Sequence, residues 1–332
     1  MGVVRAPVGM TNAAIAYVFP GQGAQYVGMG VKIAQAHPGA ADLFERASRV
    51  LGQDLLDLCR FGPEALLQQT ANTQPAILVT SLACLAAAEG RIPPPRVAAG
   101  LSLGEYSALV CAGALEFEDA VRVVRQRGLF MQEATAGRDV AMAAILGLDA
   151  QRVEALCREV EEAGVCEPAN YNAPGQTVIG GDRAAVERAI ALAKQAGARR
   201  AVLLAVSAPF HTRLMRPAAE RLAALLETVP IVDARIPVVA NITAAPVQRA
   251  GEIRAALIEQ VARPVRWVQS VERMVADGVG AFVELGPGTV LSGLIKRTAA
   301  GLRTLHVEDP ASLAETAAAF LAKSEGTAAT GA

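Results

Sequence analysis

Val97-Ala98-Ala99-Gly100-Leu101-Ser102-Leu103-Gly104-Glu105-Tyr106-Ser107-Ala108-Leu109 passes from a short apolar run, through a Gly-x-Ser-x-Gly turn, into a helical pattern. Strand, sharp turn and helix in that order form the setting in which a serine hydroxyl is lifted above a sheet. Glycines at both ends of the pentapeptide let strand and helix approach closely. The N-terminus of the following helix offers backbone N–H groups and a positive dipole end to a developing oxyanion. Alone, the pentapeptide also describes a plain Ser-Gly turn, so its surroundings have to decide.

Those surroundings alternate. Ile15–Phe19 reads as a buried strand that ends in the turn Pro20-Gly21-Gln22-Gly23. Pro38–Leu51, Thr73–Glu89, Gly104–Ala112 and Phe117–Thr135 read as helices, with Arg91-Ile92-Pro93-Pro94-Pro95-Arg96 as a stiff connector. Further on, helices are expected over Thr212–Thr228, Glu252–Val261, Val268–Ala276, Thr289–Arg297 and Ala311–Ala322. Strands are expected over Ile236–Ala240, Ala281–Leu285 and Arg303–Val307. The alternation implies an α/β fold around a mainly parallel sheet.

The middle departs from this rhythm. Ala141–Gly147, Val165–Tyr171, Gln176–Gly180 and Arg200–Val206 are strand-like, and Ala150–Ala163 and Arg183–Ala196 are helical. That is the β-α-β-β-α-β order of a ferredoxin-like unit. The expected organisation is therefore a large domain from 10–137 and 207–322, interrupted by a small inserted domain at 138–206. Residues 1–9 and 323–332 are expected to be flexible ends.

Composition removes several classes of function. The 332 residues carry 31 Lys and Arg against 32 Asp and Glu, a net charge of −1, so no basic excess is available for a phosphate backbone and nucleic-acid binding is not expected. Apolar residues make up 52%, which argues against disorder. The longest apolar run, Ala76–Ala88, is broken by Thr80 and Ser81 and falls short of the ~20 residues of a membrane span. The five cysteines include no C-x-x-C pair and are an odd number, which argues against a zinc site or a disulfide framework. They read as apolar packers in a reducing cytoplasm. The start of the chain has no secretory-signal pattern. No metal or organic cofactor motif is present, and the turn at 20–23 matches neither nucleotide-binding fingerprint.

A nucleophilic serine needs a base, and only three histidines exist. His37 precedes Pro38 at a helix start and reads as a surface or capping residue. His306 lies in a short apolar strand. His211 follows Ser207-Ala208-Pro209-Phe210 in a loop leaving an apolar strand, the kind of place where α/β sheets bind ligands, and is the favoured base. An acidic third member between Ser102 and His211 would fall largely in the inserted domain. The alternative is a neutral carbonyl, and a Ser-His dyad without an acid suits a thioester, whose thiolate leaves readily. Arg127 follows Arg122 and Arg125 on one helix. Such arginines ordinarily line a solvated face, but one turned inward could clamp a carboxylate with two parallel hydrogen bonds. The turn at Gln22 could add a second oxyanion donor.

Taken together, several stretches resemble the malonyl-CoA:acyl-carrier-protein transacylases of fatty-acid synthesis and the related acyltransferase domains of polyketide synthases. They are Val18–Gln25, Gly100–Leu109, Arg127–Gln132, Asn170–Gln176, Val206–His211, Pro264–Trp267 and Glu284–Gly288, in the family's order from about Ile15 to Val307. The resemblance implies an α/β-hydrolase-like domain with an inserted ferredoxin-like domain. It implies Ser102 as the acylated nucleophile and His211 as its base, with Gln260 supplying the carbonyl that orients the histidine. Gln22 and Leu103 would give backbone N–H groups to the oxyanion, and Arg127 would bind the malonyl carboxylate. Asn170 and Asn172 would lie near the cleft mouth as candidate coenzyme A contacts, with Phe210 in the acyl pocket. Malonyl-CoA and acyl carrier protein would be the partners of a monomeric, cofactor-free cytoplasmic enzyme.

Two features bear on selectivity. Leu101 stands where the family commonly has His, and Phe210 resembles the malonyl-selective members, where a bulky ring would crowd an α-methyl group by ~1–3 kcal/mol. Two other functions share the serine and the histidine. A serine hydrolase would send the acyl group to water, though a plain acyl chain leaves Arg127 without a partner. A non-catalytic carrier-docking module would have no use for all three residues.

Overall fold

Ala14–Phe19 forms β1, the buried centre of a six-stranded sheet in the computed structural model, which describes residues 14–328. The readings of 1–9 and 329–332 as flexible ends, and of 10–13 as the start of the large domain, lie outside the described residues. The remaining strands of this sheet are β2 (Val97–Gly100), β7 (Val238–Val239), β8 (Pro246–Val247), β9 (Val279–Leu285) and β10 (Arg303–Val307). Their order is β10-β9-β1-β2-β7-β8, parallel throughout except for the antiparallel β7–β8 edge. Near-continuous burial of β1 and β9 is what a parallel sheet covered on both faces requires.

A second sheet is antiparallel, with β3 (Val140–Leu146), β4 (Cys166–Ala173), β5 (Gln176–Asp182) and β6 (Arg200–Leu203) in the order β4-β5-β3-β6. It packs on helices Ala150–Glu159 and Arg183–Gln195 around a core of its own, with Ile145, Leu156, Ile179 and Val186. Period-two alternation sends Ala141, Ala143 and Ile145 into that core and Met142 into the main one.

The helix bearing Arg127, Phe117–Glu133, is docked by a proline. Pro75 lies inside the helix Thr70–Ala88 and has no N–H, which frees the Ala71 carbonyl one turn earlier. Arg125 Nη1 takes that carbonyl at 2.8 Å, and Gln132 Oε1 accepts the Ala71 N–H at 3.1 Å. Between them Gly128 sits so close to the neighbouring helix that a Cβ there would lie 2.7 Å from Ala71 Cα. Helix Thr70–Ala88 spans 19 residues and has the length and composition to cross a membrane, longer than its apolar run implied. It is instead packed inside the protein, with 17 of its side chains buried.

Several boundaries differ from expectation. Expected strand Ile236–Ala240 shrinks to Val238–Val239, since Pro237 cannot donate to a ladder. Expected strand Arg200–Val206 ends at Leu203, where a tight turn (Val206 N–H to Leu204 O, 3.0 Å) begins the loop to His211. The last helix does not stop at Ala322. It runs from Pro310 to Ala328, so residues 323–328 of the expected flexible end are helical, continuing the Ala-rich stretch 317–322 past Ser324 and Gly326. Short helices Val31–Ala36, Leu55–Phe61 and Glu64–Leu67 were not expected. All five cysteines are free thiols, four of them buried.

The Gly100–Gly104 closure is the tightest point of the turn. A Cβ on Gly100 would lie 1.9 Å from the Gly104 carbonyl carbon, and one on Gly104 would lie 2.0 Å from Phe19 O. Both obstacles are backbone and cannot step aside. Gly104→Ala is therefore expected to destabilise the protein by about 2 kcal/mol or more. Urea unfolding would measure this, and an unchanged midpoint would show that strand and helix can separate at no cost.

Candidate active site

Ser102 is separated from the end of β2 by one residue, Leu101, and adopts φ +53°, a left-handed conformation uncommon for a residue with a Cβ. Two side chains clamp it. Asn241, just past β7, accepts the Ser102 N–H on Oδ1 at 2.6 Å and donates from Nδ2 to Gly100 O at 2.7 Å. Gln260 Nε2 donates to the Ser102 carbonyl at 3.0 Å. With its N–H taken by Asn241, Ser102 has only its hydroxyl to offer a ligand.

That hydroxyl lies 2.7 Å from His211 Nε2, and His211 Nδ1 lies 2.7 Å from the main-chain carbonyl of Gln260. A carbonyl can only accept, so Nδ1 carries the proton. Nε2 then presents its lone pair to Ser102 Oγ–H. The third member is thus a neutral carbonyl. His211 is buried, and burial together with the nearby Arg127 guanidinium holds its pKa down at about 3, against the carbonyls of Gln260 and Arg263, which raise it. The imidazole stays neutral, ready to take a proton.

Arg127 points inward, as the sharper of its two sequence readings required. It is 2% exposed. Nη1 donates to Gln74 Oε1 at 2.9 Å, and Nη2 donates to Gln260 Oε1 at 2.9 Å and to Ser102 Oγ at 3.1 Å. Tyr106 lies beneath its plane, with the ring centroid 5.5 Å away. Every hydrogen-bond acceptor is neutral and Nε has none. Burial lowers the Arg127 pKa, but a guanidinium remains charged in proteins. A buried cation without a carboxylate partner is costly, and a bound anion would relieve it.

The one carboxylate nearby is Glu105, 2% exposed. Its Oε2 accepts the Asn241 N–H and a Gln260 Nε2–H, each at 2.9 Å. Burial pushes its pKa up to about 7, against those two bonds and Arg127, which pull it down.

Ser102, His211, Arg127 and Gln74 line a cavity of about 530 Å³ at the carboxyl ends of the parallel strands. Gln22, Leu101, Ser102, Arg127, Phe210 and His211 are on its wall, as are Asn170 and Asn172 from β4. Asn172 Oδ1 is buried without a partner. Leu103 is fully buried and is not a wall residue. It caps helix Gly104–Cys111, whose first N–H groups, on Gly104, Glu105 and Tyr106, donate to the carbonyls of Leu101, Ser102 and Leu103. His37 and His306 are remote from the cavity wall. His37 sits at a helix junction near Arg91, and His306 is in edge strand β10. Among the described residues, no cluster of three or more His, Cys, Asp and Glu could hold a metal ion.

Sequence reasoning missed Gln74, Asn241 and Glu105. Asn241 followed an apolar strand, which was the only available signal. Gln74 reads as one polar position in an apolar helix, and Glu105 carries no signal beyond its place in the stretch Gly100–Leu109.

The family model for the acyl transferase domain matches residues 16–319. The malonyl CoA-acyl carrier protein transacylase of Haemophilus influenzae is 48% identical over 299 residues, 90% of this chain and 96% of that protein. The solved malonyl CoA-acyl carrier protein transacylase of Clostridium perfringens superposes with a TM-score of 0.91 at 40% identity, over 96% of this chain and 100% of that one. A malonyl-transacylase solved in complex with its type II PKS acyl-carrier protein gives a TM-score of 0.90 at 45% identity, over 92% of this chain and 100% of that one.

His211 also makes a testable contribution to stability. Between about pH 6.5 and pH 3 the unfolded chain binds a proton that folded His211, at about 3, refuses. Stability from this site is complete above pH 6.5 and is lost as pH falls. Relative to His211→Gln, the wild-type protein is expected to lose about 2 kcal/mol between pH 7 and pH 5 in urea unfolding. Parallel curves for the two proteins would mean that His211 titrates normally.

Proposed function

The chain belongs to the malonyl CoA-acyl carrier protein transacylase family of acyltransferases, and we propose that it moves a malonyl group from malonyl-CoA to the phosphopantetheine thiol of acyl carrier protein through a malonyl ester on Ser102. The observation that carries this reading is the buried Arg127, bonded only to neutral acceptors and 3.1 Å from Ser102 Oγ. A guanidinium in that position selects an acyl group that ends in a carboxylate.

Ser102 Oγ attacks the thioester carbonyl carbon as its proton passes to His211 Nε2. The Gln260 carbonyl, already accepting Nδ1–H, stabilises the imidazolium. The backbone N–H groups of Gln22 and Leu103 receive the oxyanion. Collapse breaks the C–S bond, and Nε2 returns the proton to the departing thiolate. The phosphopantetheine thiol then attacks the malonyl ester, giving its proton to His211, and Ser102 leaves as the free hydroxyl. The two halves alternate as a ping-pong cycle.

Substrate charge assists the base. Arg127 is one cause of the low His211 pKa. A malonyl carboxylate on Arg127 would offset that charge and make Nε2 more basic when a substrate is present. It would also draw Nη2 away from Ser102 Oγ and free a lone pair for attack.

Asn170 and Asn172, on the cavity wall, are placed to contact coenzyme A or the pantetheine arm, and Phe210 to bound the acyl end. Leu101, in the usual histidine position, contributes an apolar wall beside Ser102. We read 138–206 as an inserted ferredoxin-like domain, supported by its strand order and separate core, and 207–322 with the residues before 138 as the hydrolase-like domain. Free thiols fit a reducing compartment, the cytoplasm.

Arg127→Ala separates this reading from a hydrolase of plain acyl esters. Losing a charge-assisted bidentate contact is expected to lower kcat/KM for malonyl-CoA about 100-fold and to change acetyl-CoA by less than about threefold. Steady-state transfer to holo carrier protein would measure both. An unchanged malonyl-to-acetyl ratio would remove Arg127 from the acyl site.

A further inference from the structure

Gln260 stands between three groups that need different ends of its amide. Arg127 Nη2 needs its oxygen, and the Ser102 carbonyl needs its nitrogen. A side-chain amide can flip, which would set an N–H against the guanidinium and an oxygen against the Ser102 carbonyl. The third contact adds to the cost of that flip, because it takes the second Nε2 hydrogen. Glu105 Oε2 lies 2.9 Å from Gln260 Nε2 and, facing N–H groups, acts as an acceptor there. The same oxygen accepts the Asn241 N–H at 2.9 Å, and Asn241 Oδ1 holds the Ser102 N–H. Glu105 itself is buried and has no cation within ion-pair distance among the described residues. Burying a carboxyl group there costs stability, and its Oε2 accepts two N–H bonds at once.

We propose that Glu105 is a positioning residue, whose carboxylate fixes the amide orientation of Gln260 and thereby places Arg127 Nη2 and the Ser102 peptide for acyl transfer. This rests on the transacylase reading for its physiological substrate but not for its geometry. Glutamine at 105 has the same shape but accepts through only one end of its amide, so the acceptor for Gln260 Nε2 is weakened.

The test is a double-mutant cycle of Glu105→Gln and Gln260→Ala, with folding checked by circular dichroism and thermal melting. Two rates are read: malonyl transfer to holo carrier protein, and labelling of Ser102 by a fluorophosphonate, which needs no malonyl group. Glu105→Gln is expected to lower both rates about tenfold in the native background. In the Gln260→Ala background, where no amide remains to orient, the same change is expected to cost less than about twofold. Wild-type rates for a folded Glu105→Gln, or an equal loss in both backgrounds, would overturn the proposal. If the wild-type protein labels at Ser102 but transfers no malonyl, the transacylase reading fails while labelling still decides the role of Glu105. Should Glu105→Gln not fold, Glu105→Ala is read through the same cycle.

Discussion

The left-handed backbone at Ser102 is the constraint around which the site is organised. A φ of +53° in a residue with a Cβ persists only where the surroundings hold it. Here Asn241 and Gln260 grip the two sides of the Ser102 peptide, and Gly100 and Gly104 supply the only room in which the turn can close. The parallel sheet fixes β1, β2 and β7 side by side, so Gln22, Ser102 and Asn241 emerge at the same end. A slip of one strand would separate groups that must lie within hydrogen-bond distance. The fold and the site therefore rest on the same contacts.

Charge placement follows from that geometry. Arg127 is driven inward by helix packing around Pro75 and Gly128, not by an acidic partner. Its charge is left on neutral oxygens, and burial, with that charge beside it, keeps the neighbouring His211 unprotonated. A buried cation, a neutral base and a carbonyl in place of an acid form one electrostatic arrangement. In the proposed function, an acyl group bringing its own negative charge would complete it. Ordinary serine hydrolases place an acid behind the histidine, whereas here the Gln260 carbonyl holds the tautomer.

Much of this was legible in the sequence because it depended on local pattern. The Gly-x-Ser-x-Gly turn between apolar run and helix located the elbow, the scarcity of histidine narrowed the base, and the change of rhythm after residue 138 marked the second sheet. Arg127 could be named as a cation of interest, but its direction could not be read, since Arg122 and Arg125 share its helix. What stayed hidden was long-range. Asn241 meets Ser102 across 139 residues, and Glu105 meets Gln260 across 155. No local periodicity encodes such a meeting. The same limit explains the shortened β7, where Pro237 outweighed an apolar run, and the apolar helix Thr70–Ala88, where length alone does not distinguish a core helix from a membrane span.

The central claim is that malonyl passes through Ser102 on its way to a carrier thiol. Intact-protein mass spectrometry after brief exposure to malonyl-CoA, run beside Ser102→Ala and followed by a chase with holo carrier protein, tests it directly. The account predicts a malonyl mass increment on the wild-type chain that is absent from the variant and moves to the carrier during the chase. Malonyl appearing on the carrier at the wild-type rate with Ser102→Ala, or an increment that the carrier cannot remove, would contradict it.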